Sequence, residues 1–175
     1  MRTLFLFCVA LAAANANAAE SMFGTTDAMA CYEAATFQSH ASDAALCSSA
    51  IKAGKLSRPQ LAATYSNRGI ILARANQLDK AIDDQNMALE IDASLARVYI
   101  NRANAYYRAG RHEEALADYD KAVALSQANF APAYYNRAIV HRKLGHQEAA
   151  LHDLQQATTL EPQNAIYQAA LVDLQ

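Results

Sequence analysis

The sequence predicts an all-α, right-handed solenoid of helical hairpins. Three observations carry that prediction. The stretch Tyr65-Ser66-Asn67-Arg68-Gly69 returns as Tyr99-Ile100-Asn101-Arg102-Ala103 and as Tyr134-Tyr135-Asn136-Arg137-Ala138, at intervals of 34 and 35 residues. A period of that length marks stacked helix–turn–helix units, none of which can bury its apolar face alone. The composition is alanine-rich, with only five glycines and three prolines in 175 residues. Alanine favours helices and lets their axes approach closely. Finally, each Tyr-x-Asn-Arg segment is followed by two alanines on one face of a second helix: Ala81 and Ala88, Ala115 and Ala122, Ala150 and Ala157. Residues two turns apart lie above one another, so these alanines offer a flat packing surface.

The chain begins with Met1-Arg2-Thr3, an apolar run from Leu4 to Ala14, and Ala16-Asn17-Ala18. This pattern predicts a signal peptide over residues 1–19, hence a periplasmic protein, with full secretion as the lesser option. The apolar run is too short to span a bilayer, and no later stretch approaches the length needed, so no stable membrane insertion is expected after cleavage.

Residues 20–58 read as a helical hairpin. Asp27 to Phe37 and Asp43 to Ala53 look helical, with Gln38 to Ser42 as the turn. Antiparallel helices would set Cys31 and Cys47 at comparable heights. An even cysteine count in an exported chain points to a disulfide. A bridge over that interval should contribute about 3 kcal/mol. The absence of Cys-x-x-Cys spacing and of a basic neighbour argues against a redox pair. Two sulfurs and His40 fall short of a structural zinc site. Ser57 with Gln60, and Pro59 between them, is a capping box that starts the next helix.

Three units follow, at residues 62–95, 96–130 and 131–164. Their turns are Ala75-Asn76-Gln77, Ala109-Gly110-Arg111 and Leu144-Gly145-His146. The second unit carries one extra residue near Ser126-Gln127-Ala128. Glu161-Pro162 stops the third. Ile166, Tyr167, Ala170, Leu171 and Leu174 recur at helical spacing, which predicts a capping helix over 165–175 for the exposed end of the array.

These residues resemble the tetratricopeptide repeat family over roughly residues 62–164. The matching positions are the aromatics Tyr65, Tyr99 and Tyr134, the small residues Gly69, Ala103 and Ala138, the turn glycines Gly110 and Gly145, the six alanines above, and Pro162. Asn76 replaces a turn glycine, and Ala93 and Gln127 replace a terminal proline. The leader, cysteine pair and Asn-Arg repeats together resemble a group of exported bacterial repeat proteins. The resemblance implies a concave face lined by the first helix of each unit and a role in binding a protein or peptide. By resemblance to peptide-clamping members, Asn67, Asn101 and Asn136 match the position that contacts an extended peptide or its terminal carboxylate, and Arg97 matches a basic clamp position. Ser66 and Ile70 stand where a full clamp has Lys and Asn. Asn104, Tyr107, Arg108, Tyr135 and Arg142 complete the predicted partner-binding face. Asparagines bonded from helix to helix are the alternative reading.

Each unit also has an arginine followed 16 residues later by an aspartate: Arg68 and Asp84, Arg102 and Asp118, Arg137 and Asp153. Three identical intervals argue for repeated structural ion pairs that fix register. Arginines reaching a ligand are the alternative.

A net charge of −2 does not suggest a nucleic-acid partner. There is no phosphate loop, nucleophile elbow or His-Glu-x-x-His. His141 and His146 are five apart, and His146 and His152 six, so neither pair shares a helix face at ligand spacing. No catalytic residue, metal or cofactor is expected. The first helices carry Arg97, Arg108 and Arg142, and the second helices are acidic. The predicted function is therefore a non-enzymatic, periplasmic interaction module that takes a protein or peptide segment, acidic or carboxylate-ended, in a concave groove. The alternative is a structural or assembly factor of the cell envelope acting through its end caps or convex face.

Overall fold

The computed structural model describes residues 25–37, 40–126 and 129–174. The predicted leader with its cleavage site, turn residues 38 and 39, and the extra residue near 127–128 lie outside them. Nine α-helices run through the described residues: α1 Thr26–Thr36, α2 Ala44–Ala53, α3 Arg58–Arg74, α4 Leu78–Ile91, α5 Ala96–Arg108, α6 His112–Leu125, α7 Ala131–Lys143, α8 Gln147–Leu160 and α9 Ala165–Val172. Each odd-numbered helix from α1 to α7 packs antiparallel to the next even one, and each hairpin stacks on its neighbour. The result is an all-α repeat solenoid. Among the described residues, no helix is long and apolar enough to cross a membrane.

Local chemistry sets the boundaries. Thr25 caps α1 by accepting from the Ala28 N–H. The predicted box opens α3, with the Ser57 N–H donating to Gln60 Oε1 at 2.9 Å. Each repeat hairpin turns through one residue in the left-handed region: Gly110 at φ 77°, Gly145 at φ 80°, and Asn76 at φ 60°. Asparagine tolerates this conformation better than other side-chain-bearing residues, which is why unit one turns without a glycine. Two backbone bonds lock each turn. Gln77, Arg111 and His146 donate to the carbonyls of Leu72, Tyr106 and His141, and the left-handed residue donates one position further in. This 6→1 and 5→2 pair is the Schellman motif.

The alanines do what their spacing predicts. Ala81, Ala88, Ala115, Ala122, Ala150 and Ala157 are all buried, and the facing Gly69, Ala103 and Ala138 meet them. In unit one a Cβ on Gly69 would stand 2.4 Å from Gln85 Nε2 and 3.1 Å from the Ala81 carbonyl. Gln85 occupies the place held by Tyr119 and Leu154 in the later units. It is buried and donates to the Ser66 carbonyl at 3.0 Å.

The arginines are staples between hairpins as well as partners within them. Arg68 donates through Nε and Nη2 to both Asp84 oxygens at 2.8 and 2.7 Å. Arg102 does the same to Asp118 and Arg137 to Asp153, every bond 2.7 Å. The remaining nitrogen, Nη1, reaches the second helix of the preceding hairpin: Ser48 at 2.9 Å, Asn86 at 2.6 Å and Asp120 at 2.7 Å. Each guanidinium also lies 5.4 to 5.5 Å from the ring of the tyrosine three residues earlier. One side chain therefore ties its own helix, its hairpin partner and the previous unit together.

The two ends are finished differently. At the N-terminal end Cys31 and Cys47 are disulfide-bonded and fully buried, linking α1 to α2. At the other end α9 and the turn after it lay Ala170, Leu171 and Leu174 against Ala138, Ala150 and Leu154, and Tyr167 is buried.

Candidate functional site

A cleft of about 600 Å³ opens where α1, α3 and the start of α5 meet. Its walls are mainly apolar: Tyr32 and Ala35 from α1, Ala63 and Ile70 from α3, and Leu95 and Val98 from the junction of the first and second units. Ser66, Asn67 and Asn101 supply polar groups, Arg97 a cation and Asp92 a carboxylate. A second hollow of about 290 Å³ shares Tyr32, Pro59, Ala63 and Asn67 and extends the cleft toward Ala28. The continuous trough suits an extended chain with small or apolar side chains.

The repeat architecture explains the position of each polar group. Asn67 and Asn101 come one residue before the stapled arginines, so they point to a different side of the helix from the Arg–Asp seam. Asn101 Nδ2 donates to Ser66 Oγ at 3.2 Å, bridging α5 to α3. Asn67 is half-buried, and its amide has no hydrogen-bond partner among the described residues. Its amide is open to the cleft, where a ligand backbone can exchange hydrogen bonds with it in place of water. Arg97 is exposed at the cleft mouth, 5.8 Å from the Phe130 ring. Asp92 bonds the Ser94 hydroxyl and N–H, and these bonds hold its carboxyl below the usual range, so it stays ionised.

Of the nine residues predicted to touch a partner, Asn67, Arg97 and Asn101 line this cleft. The others are engaged or lie elsewhere. Asn104 accepts from the Tyr119 hydroxyl and from Asn136 Nδ2, the latter at 3.4 Å, so Asn104 and Asn136 bond helix to helix. Tyr107 packs on His112 with ring centroids 5.3 Å apart. Arg108 donates to the Ala73 carbonyl and to Asn76 Oδ1, closing the turn of unit one. Tyr135 stacks on Tyr167 of the capping helix at 4.8 Å. Arg142 is exposed at the far end, beside a niche of only about 80 Å³. The cleft concentrates at the N-terminal end and balances one cation against one carboxylate. The acidic residues of α4, α6 and α8, such as Asp79, Asp83, Glu113 and Glu148, are exposed.

Sequence reasoning missed Tyr32, Leu95, Val98 and Asp92. Val98 looks like an ordinary core position of its helix, and Ile70 entered only as a departure from a full clamp. Tyr32 enters only because α1 packs across α3, and its neighbour Cys31 was the one available hint. His141 and His146 were separated by counting along a single helix, whereas the turn at Gly145 brings their Nδ1 atoms to 3.3 Å. Among the described residues there is no group of three or more His, Cys, Asp or Glu side chains that could hold a metal ion.

Comparison with known proteins agrees with this architecture. Residues 94–161 match the family model described as Tetratricopeptide repeat. A "DnaJ homolog subfamily C member 7 homolog" of Dictyostelium discoideum is 37% identical over 65 residues, covering 37% of this chain. The match covers only 12% of that relative's length. The first such repeat domain of Spaghetti (RPAP3), solved with the HSP90 peptide SRMEEVD, superposes with a TM-score of 0.62 at 27% identity, over 65% of this chain and 89% of that one. The second repeat domain of human RPAP3, solved with the HSP70 peptide SGPTIEEVD, gives a TM-score of 0.62 at 26% identity, over 66% and 97%. Residues 94–161 are thus tetratricopeptide repeats, and the 34- or 35-residue period and the Schellman turns carry the same architecture back to residue 62.

Proposed function

We propose that this protein is a non-enzymatic interaction module that binds an extended peptide segment in the cleft between α1, α3 and α5. The observation that carries the reading is the pairing, in one apolar trough, of an Asn67 amide that bonds no other described residue with the exposed Arg97 guanidinium. A peptide backbone would bond Asn67, small apolar side chains would fill the trough beside Ile70 and Val98, and one carboxylate would meet Arg97. The two solved relatives carry peptides ending in acidic and apolar residues, which supports this ligand class. The leader-like residues 1–19 support a periplasmic location, which fractionation of cells producing the full chain would check.

Selection of displayed peptides on the purified chain tests the cleft. The selected peptide should lose at least tenfold in affinity to Arg97→Glu and to Asn67→Ala, and nothing to Arg142→Glu. Equal binding by Arg97→Glu would sink the cleft reading and favour contacts through the end caps or convex face.

A further inference from the structure

The Schellman turn of each repeat hairpin brings together two side chains five residues apart. In unit one these are Leu72 and Gln77. In unit two they are Tyr106 and Arg111, with the guanidinium 4.4 Å from the ring centroid. In unit three they are His141, in the last turn of α7, and His146, at the start of α8. Their positions are fixed by backbone: the His146 N–H donates to the His141 carbonyl at 2.9 Å, and the Gly145 N–H to the Arg142 carbonyl at 3.2 Å. The rings are tilted by 53° and approach through their Nδ1 atoms, which stand 3.3 Å apart. Two nitrogens bound at about 2.0–2.1 Å to a tetrahedral ion stand about 3.3–3.4 Å apart, so the observed gap already matches the bite of such an ion.

A buried carboxylate flanks the pair. Asp153 Oδ2 lies 3.9 Å from His141 Nε2, beyond hydrogen-bond reach, and both Asp153 oxygens accept from Arg137. In the tautomer with the proton on Nε2, that proton faces Asp153 and the Nδ1 lone pair is available to a ligand. His146 is exposed, so its own proton can move to Nε2 in solvent when Nδ1 becomes a ligand, with no net proton released.

We infer that His141 and His146 form a preorganised two-nitrogen site for a borderline divalent transition-metal ion such as Zn²⁺, cross-linking α7 to α8. Water completes the coordination on the open side of the turn. The site is remote from the peptide cleft, at the opposite end of the array, and stands or falls independently of it.

Titration of the full, disulfide-bonded chain with ZnCl₂ by calorimetry is the test. One ion should bind per chain, and His146→Gln and His141→Gln should each weaken binding at least tenfold. His152→Gln, an exposed control on α8, should bind like the wild type. Zn²⁺ should raise the melting temperature of the wild type and not that of His146→Gln, because a ligand stabilises only the state that binds it. The His146 side chain is exposed, so its variant should melt with the wild type when no metal is present. Absence of one-to-one binding in the wild type, or unchanged affinity in His146→Gln, would leave the pair a hydrogen bond only and overturn the site.

Discussion

The N-terminal hairpin and the three repeats solve the same problem with different chemistry. Both must hold two antiparallel helices in register, and both do so between residues 16 apart. In the repeats the link is an arginine bonded twice to an aspartate, with a third bond to the hairpin before. In the α1–α2 hairpin it is a disulfide. The difference follows from the amount of core available. α1 buries only Ala28, Cys31 and Ala35, and α2 only Cys47 and Ala50. The repeats bury Ile71, Ile82, Leu89, Ile100, Tyr119, Tyr134, Val140 and Leu154. A pair of short helices with so little apolar surface gains most from a covalent link that restricts the unfolded chain. The ion pair, by contrast, depends on neighbours on both sides, so it suits the interior of an array. The candidate cleft spans the boundary, with one wall from the covalently held hairpin and the other from the ion-paired units.

The comparison breaks most visibly where a staple is removed from the middle. Arg102→Ala leaves Asp118, only 6% exposed, without its partner and also frees Asn86. A stranded buried carboxylate costs about 3–4 kcal/mol, and chemical denaturation should show that loss across all three units. Replacing both partners, as Arg102→Met with Asp118→Leu, should recover most of it. A double variant as unstable as the single one would mean that the bond to Asn86, and not the ion pair, dominates.

Removing the disulfide should cost about 3 kcal/mol, but locally. In Cys31→Ser with Cys47→Ser, hydrogen exchange should speed up in α1 and α2 while α4 to α8 keep their protection. Peptide affinity should fall with it, since Tyr32 and Ala35 leave the cleft. Uniform loss of protection along the chain would show that the hairpin and the repeats unfold as one unit.

Gly69 offers a finer probe of the same boundary. Units two and three carry alanine at this position, but only unit one faces it with Gln85. Gly69→Ala should destabilise by about 1–3 kcal/mol through the clash with Gln85 Nε2 and the Ala81 carbonyl. Gly69→Ala with Gln85→Leu, which copies unit three, should be milder than the single change. Thermal melting of the two chains reads the difference directly.

Most of the scaffold was legible because repetition is a strong signal. Three copies of Tyr-x-Asn-Arg and of the alanine pairs define element type, pairing and packing face together. The Arg–Asp interval even specified a contact. The site was legible only in part, because repetition does not distinguish equivalent positions. Asn67, Asn101 and Asn136 look alike in sequence. They differ in what the neighbouring unit presents: Ser66 to Asn101, Asn104 to Asn136, and open cleft to Asn67. Tyr135 likewise looked like an anchor until α9 supplied Tyr167 to cover it. What sequence periodicity could not carry was the identity of the residue across each seam, and above all the non-repeating α1 that closes the cleft.

The turns give the smallest and sharpest contrast within the repeats. Asn76 holds φ 60° where the later units use glycine, and its Oδ1 also accepts from Arg108. Asn76→Ala puts an unassisted Cβ in the left-handed region and should cost about 1 kcal/mol. Asn76→Gly relieves the backbone but loses the Arg108 contact, a bond of 3.3 Å between exposed groups. Exposed contacts of this kind contribute little, so the glycine variant should melt within a degree or two of the wild type while the alanine variant falls clearly below both. If alanine and glycine destabilise equally, the side-chain bond rather than the backbone conformation holds the first turn, and asparagine is there for Arg108.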